Sequence, residues 1–288
     1  MKNNIKEFHF PAQVREAARL LGKLKSKALV LAGGTRLTRT LSPSIEAAVD
    51  ISDLPLRHIR ADKKWLRIGA LCSMDDLENS PVLASWASGV IADTAGFGSN
   101  ALARSMGTVG GNIVRAHPFN NLPPAFLALG AQIAYSDGLR EKTLPFAEIL
   151  KPEIMHMFGA RFLLTEVRVP AETESWSAAA GRLSATKTDW ESTANCVVAV
   201  DKNGGVCRRA AIALGALIPR AMRFEYAESL LAGRPCVEAS AESAAAAVVE
   251  TLVKLTHASE AKAYAREVAG VMVRRALLEA FKEAPRHG

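Results

Sequence analysis

Two turns built on paired glycines constrain this chain more than any other feature. The first is Leu31-Ala32-Gly33-Gly34-Thr35-Arg36-Leu37, at the end of a short apolar run; the second is Thr108-Val109-Gly110-Gly111-Asn112-Ile113. A glycine pair beside hydroxyl or amide side chains suits a loop whose backbone N–H groups close around a phosphate, because glycine accepts left-handed angles and lets main chain approach closely. One such loop means little. Two of them, separated by a fold unit able to bring them together, point to a ligand with two phosphates. A third pair, Gly204-Gly205, stands between two strand-like runs and needs only a hairpin turn, so it serves as an internal control.

At 288 residues, 49% apolar and 23% charged, the chain has room for two domains and a sizeable core, and fibrous or disordered classes drop out. The longest apolar runs, at 210–218 and 244–249, fall well short of the roughly 18 residues of a membrane span. The first 25 residues carry no signal-peptide core, so a cytoplasmic protein is expected. A net charge of +7 raises the question of nucleic acid. The basic residues are scattered, however, in small groups such as Lys63-Lys64, Arg208-Arg209 and Arg274-Arg275, and aromatics total 6%, so solvated charge or a docking surface is the better reading. Cys72, Cys196, Cys207 and Cys236 are too widely spaced for an iron–sulfur ligand set or a disulfide framework. Any metal-cluster electron partner must come from elsewhere. The six histidines show no metal-binding spacing.

Along the chain, Val14, Ala17, Ala18, Leu21 and Leu24 recur at helical spacing within 11–24. Residues 28–31 read as a buried strand feeding the first turn, 37–41 as one helical turn, and 47–51 and 65–71 as further strands in a βαβ-like order. Helices follow at 75–79 and 81–95. Gly96-Phe97-Gly98-Ser99-Asn100-Ala101 matches the spacing of a dinucleotide fingerprint, but it follows a predicted helix and no acid stands near residue 121, so a Rossmann site is set aside. Residues 123–129 open a helix on two prolines, and 132–135 and 162–169 are strands, the latter stopped by Pro170. The polar stretch 171–175 marks a boundary between domains at 1–170 and 171–288. The second holds antiparallel strands at 177–185, 196–200 and 210–218 and helices at 225–231, 240–255 and 260–282, the last turning Tyr264, Val268, Val271, Val273 and Leu277 or Leu278 inward. The fold class is α+β.

Several of these stretches, taken in order, resemble one known family. Ala32-Gly33-Gly34-Thr35, Arg67-Ile68-Gly69-Ala70-Leu71, Arg104 followed by Thr108-Val109-Gly110-Gly111-Asn112-Ile113, Leu127-Ala128-Leu129-Gly130-Ala131, Ala211-Ile212-Ala213-Leu214-Gly215 with Pro219-Arg220, and Tyr264-Ala265-Arg266 with Arg274-Arg275-Ala276 look like the FAD-binding medium subunit of molybdenum-containing hydroxylases, the xanthine dehydrogenase and carbon monoxide dehydrogenase flavoprotein family. The resemblance implies an N-terminal FAD-binding domain of two α/β subdomains, PCMH-like, followed by an antiparallel sheet covered by helices. It implies FAD, with pyrophosphate and ribitol held by Val30, Leu31, Ala32, Gly33, Gly34, Thr35, Arg36 and Leu37 and by Thr108, Val109, Gly110, Gly111 and Asn112.

Carried further, the resemblance puts Asn121 where relatives have an aspartate contacting the sugar portion of FAD, and Leu163 at an apolar position touching the flavin. Arg182 takes the place of a lysine near it, and Trp190, after Asp189, that of an aromatic residue over the ring. Arg36 stands where an acid or small polar residue is usual, and Leu102-Ala103-Arg104-Ser105 keeps only the arginine of the family's Gln-Ile-Arg-Asn. The implied partners are an iron–sulfur subunit and a molybdopterin subunit in a dimer of heterotrimers, with electrons passed to NAD+, a quinone or dioxygen. No general acid or base is assigned, because the flavin carries the chemistry. The competing readings are a non-flavin assembly or scaffold relative and a stand-alone flavin oxidoreductase.

Overall fold

The computed structural model describes residues 5–35, 42–114, 117–189, 191–256 and 260–282. The chain begins with β1 (Glu7–His9), α1 (Val14–Leu24), β2 (Ala28–Leu31), β3 (Ala47–Asp50), β4 (Ile59–Ala61), β5 (Trp65–Gly69), α2 (Met74–Glu78), α3 (Pro81–Ser85), α4 (Val90–Gly96), α5 (Ala101–Met106), α6 (Val109–Val114) and α7 (Leu122–Ala128). It continues through β6 (Gln132–Ser136), β7 (Glu141–Pro145), α8 (Phe146–Ile149), α9 (Pro152–Met155), β8 (Leu163–Pro170), β9 (Ser177–Leu183), β10 (Ala194–Asn203), β11 (Val206–Gly215), β12 (Met222–Arg223), α10 (Glu225–Ser229), α11 (Glu238–Leu255) and α12 (Glu260–Phe281). These elements gather into two compact units. One comprises Met1–Asp76, Asn100–Arg115 and Ala131–Val169, the other Leu77–Ser99, Ala116–Gly130 and Pro170–Gly288.

In the first unit, β1 and β2 flank β3 in a parallel sheet, with Glu7 and Ala28 both in register with Ala47. The helical spacing of Ala17, Ala18 and Leu21 puts these residues against Val49, Ile51, Leu54, Leu56 and Leu71 in one apolar cluster. At the start of α1 the Glu16 carboxylate accepts the Ala12 N–H at 3.0 Å, and the left-handed Lys25 (φ 54°) stops the helix. A second sheet runs β4-β5-β8-β6-β7, with antiparallel hairpins β4/β5 and β6/β7. The βαβ-like expectation thus holds for the first sheet and not for the second. β1 and β4 are three residues long and β7 alternates polar with half-buried positions, so none carries an apolar signal.

Glu166 on β8 is 5% exposed, and its carboxylate collects Arg67 Nη1 at 2.9 Å, Arg168 Nε at 2.5 Å and His58 Nε2 at 3.0 Å. Burial pushes its pKa up, but Arg168, His58 and Arg67 together outweigh that and hold it below the ordinary 4.5.

In the second unit, β12-β11-β10-β9 form an antiparallel sheet. Gly204 and Gly205 make the two-residue turn between β10 and β11 with φ of 56° and 76°, as the hairpin reading requires. Cys196, Val198 and Val200 join Ile212, Leu214, Val248, Leu252, Val273 and Leu277 in the core that α11 and α12 cover. Burial pushes the Cys196 thiol up to about 12 and the Cys207 thiol up to about 11. The inward face of α12 matches expectation in part: Val273 and Leu277 are buried as expected, but Tyr264 and Val271 are 67% and 48% exposed and Ala265, Ala269, Ala276 and Ala280 are buried with them. Small residues win this face because the helices pack closely; a Cβ on Gly270 would stand 2.5 Å from Val249 Cγ2. Lys202 closes the far end of α12, donating to the Ala280 and Phe281 carbonyls at 2.9 Å each and to that of Lys282.

The helix expected at 81–95 is broken. Ala87, Ser88 and Gly89 are all left-handed (φ 46°, 57° and 80°) and separate α3 from α4. Three bonds to the start of the C-terminal region hold this costly turn: Ala87 N–H to the Glu174 carbonyl (3.0 Å), Trp86 Nε1–H to Thr173 Oγ1 (3.2 Å) and Ala178 N–H to Ser88 Oγ (3.3 Å). The one-turn helix expected at 37–41 lies outside the described residues.

Because the folded pKa of Glu166 lies below 4.5, its stabilising contribution is present above that value and is lost as pH falls through the folded pKa. Glu166→Gln should cost about 2–3 kcal/mol at neutral pH. The Tm gap between variant and parent should close as the pH is lowered below 4.5; a gap that stays constant in thermal melts across that range would refute the assignment.

Candidate functional site

The first glycine turn leaves the end of β2 and runs against the segment just before α6. A Cβ on Gly33 would overlap the Met106 carbonyl oxygen, so only glycine permits this approach. Gly34 follows in the left-handed region at φ 65°. Thr35 completes the turn, with its Oγ1 3.9 Å from where a Cβ on Gly107 would stand. Among the described residues no acceptor takes the N–H groups of Gly33, Gly34 or Thr35. Consecutive amides around a left-handed residue form a concavity suited to an anionic oxygen.

The second glycine pair is not a loop. Thr108 precedes α6, and Val109, Gly110, Gly111 and Asn112 form its first turns. Their amides are spent inside the protein: Val109 N–H on the Cys72 carbonyl (2.9 Å), Gly110 N–H on that of Ala70 (2.8 Å), Gly111 N–H on Thr108 Oγ1 (3.1 Å) and Asn112 N–H on the Thr108 carbonyl (2.9 Å). None of these glycines has a positive φ; Gly110 is there because a Cβ would sit 3.0 Å from the Ala70 oxygen and 3.2 Å from the Ala70 Cβ.

One layer further in, a Cβ on Gly69 would overlap the Leu56 carbonyl oxygen. Residues 54–58, 69–74, 106–110 and 33–35 therefore stack main chain on main chain, joined by Leu71 N–H to the Leu56 carbonyl (2.9 Å) and Met74 N–H to that of Gly107 (2.9 Å). This stack is what brings the two remote motifs together. Cys72 lies inside it, its thiol donating to the His58 carbonyl at 3.1 Å and pushed by burial up to about 11. Leu163 is 3% exposed among Leu54, Leu56 and Leu71, with Val30 and Ala32 half-buried against the same cluster.

In the second unit the carboxamide of Asn121, 9% exposed, donates from Nδ2 to the Phe97 carbonyl (3.0 Å) and accepts at Oδ1 from Ser192 Oγ (2.8 Å) and Asn195 Nδ2 (2.9 Å). Arg182 donates from Nε to Ser192 Oγ at 2.8 Å, from Nη1 to the Lys187 carbonyl at 3.4 Å and from Nη2 to that of Asp189. Burial lowers its pKa from the ordinary value, opposed by the charge of Asp189. Ser192 and Asn195 escaped sequence reasoning; the only signal was a pair of polar residues leading into an apolar strand. Gly98 is explained by the same cluster, since a Cβ there would overlap the Asp189 carbonyl and stand 2.7 Å from Arg182 Nη2. The G-x-G spacing thus reflects close packing after a helix, α4, and not a nucleotide-binding βα turn. Arg36, Leu37 and Trp190 lie outside the described residues, and no cluster able to hold a metal ion occurs among those that are described.

Comparison with known proteins accounts for this arrangement. Residues 3–172 match the family model described as the FAD binding domain in molybdopterin dehydrogenase, and residues 182–280 match the CO dehydrogenase flavoprotein C-terminal domain. The chain is 31% identical to the carbon monoxide dehydrogenase medium chain of Hydrogenophaga pseudoflava, over 96% of each chain. It is 28% identical to the 6-hydroxypseudooxynicotine dehydrogenase complex subunit alpha of Paenarthrobacter nicotinovorans, over 94% and 93% respectively. Its fold superposes on a solved structure of the Hydrogenophaga pseudoflava carbon monoxide dehydrogenase, one lacking the Mo-pyranopterin moiety, with a TM-score of 0.87 and 32% identity over 97% of this chain and 98% of that one. The chain belongs to the FAD-binding medium-subunit family of the molybdenum-containing hydroxylases, a family of oxidoreductase components.

Proposed function

We propose that this chain is the electron-transfer subunit of a multi-subunit molybdenum hydroxylase, with FAD as its cofactor. The observation that carries the proposal is the turn at Gly33–Thr35, whose three amides have no protein acceptor among the described residues and which is pressed against the segment leading into α6. These residues fit the phosphate of a dinucleotide: the amides would hold its oxygens, and the hydroxyls of Thr35 and Thr108 would add donors. The flavin supplies one- and two-electron transfer when bound. The chain's own work is to bind it, fix its orientation and keep water from its phosphate cradle.

Electrons would arrive from an iron–sulfur subunit and originate at a molybdopterin subunit, a reading supported by relatives that are a medium chain and a complex subunit, and by four cysteines with no cluster spacing here. NAD+, a quinone or dioxygen would accept them, in a cytoplasmic dimer of heterotrimers. No helix among the described residues is long and apolar enough to cross a membrane.

The purified chain should be yellow and carry close to one FAD, and it should co-purify with two further chains that contain molybdenum and iron. Colourless protein that FAD fails to reconstitute would overturn the proposal. Gly33→Ala should weaken FAD binding by about 5- to 150-fold, since overpacking against main chain costs about 1–3 kcal/mol and displaces the amides. Gly204→Ala, in the control hairpin where nothing lies within 4 Å, should leave FAD binding unchanged in the same fluorescence titration.

A further inference from the structure

One largely buried polar network of the second unit has no role in the proposed function as it stands. Followed bond by bond, it closes into a ring. The Phe97 carbonyl receives Asn121 Nδ2; Asn121 Oδ1 receives Ser192 Oγ; Ser192 Oγ receives Arg182 Nε; and the Arg182 guanidinium reaches the carbonyl of Asp189. Ser99 N–H donates to the Thr188 carbonyl at 3.2 Å, returning the ring to the turn where it began. That turn is left-handed at two successive residues, Gly98 (φ 73°) and Ser99 (φ 65°), and Gly98 leaves room for Arg182 and Asp189 to close on it. Ser192 and Asn195 are 6% and 2% exposed, so water does not compete for these bonds.

We infer that Asn121 is a positioning residue: its carboxamide joins the turn at 97–99 to Ser192 and, through Arg182, to residues 187–189, and so sets these in place before any cofactor arrives. The chemistry of the position demands an amide. Both lone-pair directions of Oδ1 are taken by donors, and Nδ2 must supply a proton to a carbonyl. A carboxylate at 121 would keep the first two bonds and turn the third into oxygen facing oxygen. Asn121 thus has an internal task, beside the contact with the sugar of FAD that the family resemblance implied for this position. In consequence the segment at 184–189 is held by the protein's own bonds, through Arg182 and Ser192.

This inference rests on the FAD reading only for its link to the cofactor, so it is tested without cofactor. Lys187 is exposed within the latched segment and offers trypsin a site that needs local opening for cleavage. In the full-length apo-protein, Asn121→Asp and Ser192→Ala should each raise cleavage after Lys187 about tenfold, while cleavage after Lys64, in the β4/β5 turn, stays unchanged. Unchanged cleavage at Lys187 in both variants would overturn the inference. Should Asn121→Asp fail to fold, Ser192→Ala decides the cleavage result by itself. A chain that binds no FAD at all would refute the proposed function and leave the cleavage result intact.

Discussion

Main chain lying directly on main chain is the constraint from which the rest of the first unit follows. At Gly33, Gly69 and Gly110 a single added carbon would strike a neighbouring residue's backbone, and the four segments they separate are stacked only because it is missing. Backbone stacked this way calls for paired N–H and C=O groups, and the layers are joined by such bonds, from the Leu56 carbonyl through Ala70 and Cys72 to Gly107. In the outermost layer the amides of residues 33–35 have no acceptor among the described residues. Unpaired donors on a backed turn are where an anionic ligand can add most, because the main chain behind them is already fixed.

The three glycine pairs look alike in the sequence and do three different jobs. Gly204-Gly205 supplies two positive φ angles to a hairpin with open space around it, and this was legible because strand-like runs on both sides dictate that turn. Gly33-Gly34 divides the labour, one residue for contact and the next for conformation. Gly110-Gly111 supplies no unusual angle at all and starts a helix. The last was illegible as a helix because glycine argues against one locally, and the packing that favours it comes from Ala70, some forty positions earlier.

The same division runs through the rest of the chain. α1, β2, β3, the C-terminal sheet and its long helices were readable because their apolar periodicity is local. The break at 87–89 was not, since its left-handed turn is held by Thr173, Glu174 and Ala178 from a distant part of the sequence. On α12 the spacing correctly marks Val273 and Leu277 as inward, but Tyr264 and Val271 are exposed and Ala265, Ala269, Ala276 and Ala280 share the buried face, because close packing selects small side chains there. At Asn121 the resemblance identified a position that matters; its three partners, at 97, 192 and 195, came only with the fold.

The deeply placed sulfurs have a consequence for a protein in this line of work. Cys72, Cys196 and Cys207 are raised to about 11 or 12, so at neutral pH on the order of one thiol in ten thousand or fewer is ionised. Hydrogen peroxide reacts with thiolate and hardly at all with thiol. These three side chains therefore make no sink for stray oxidant.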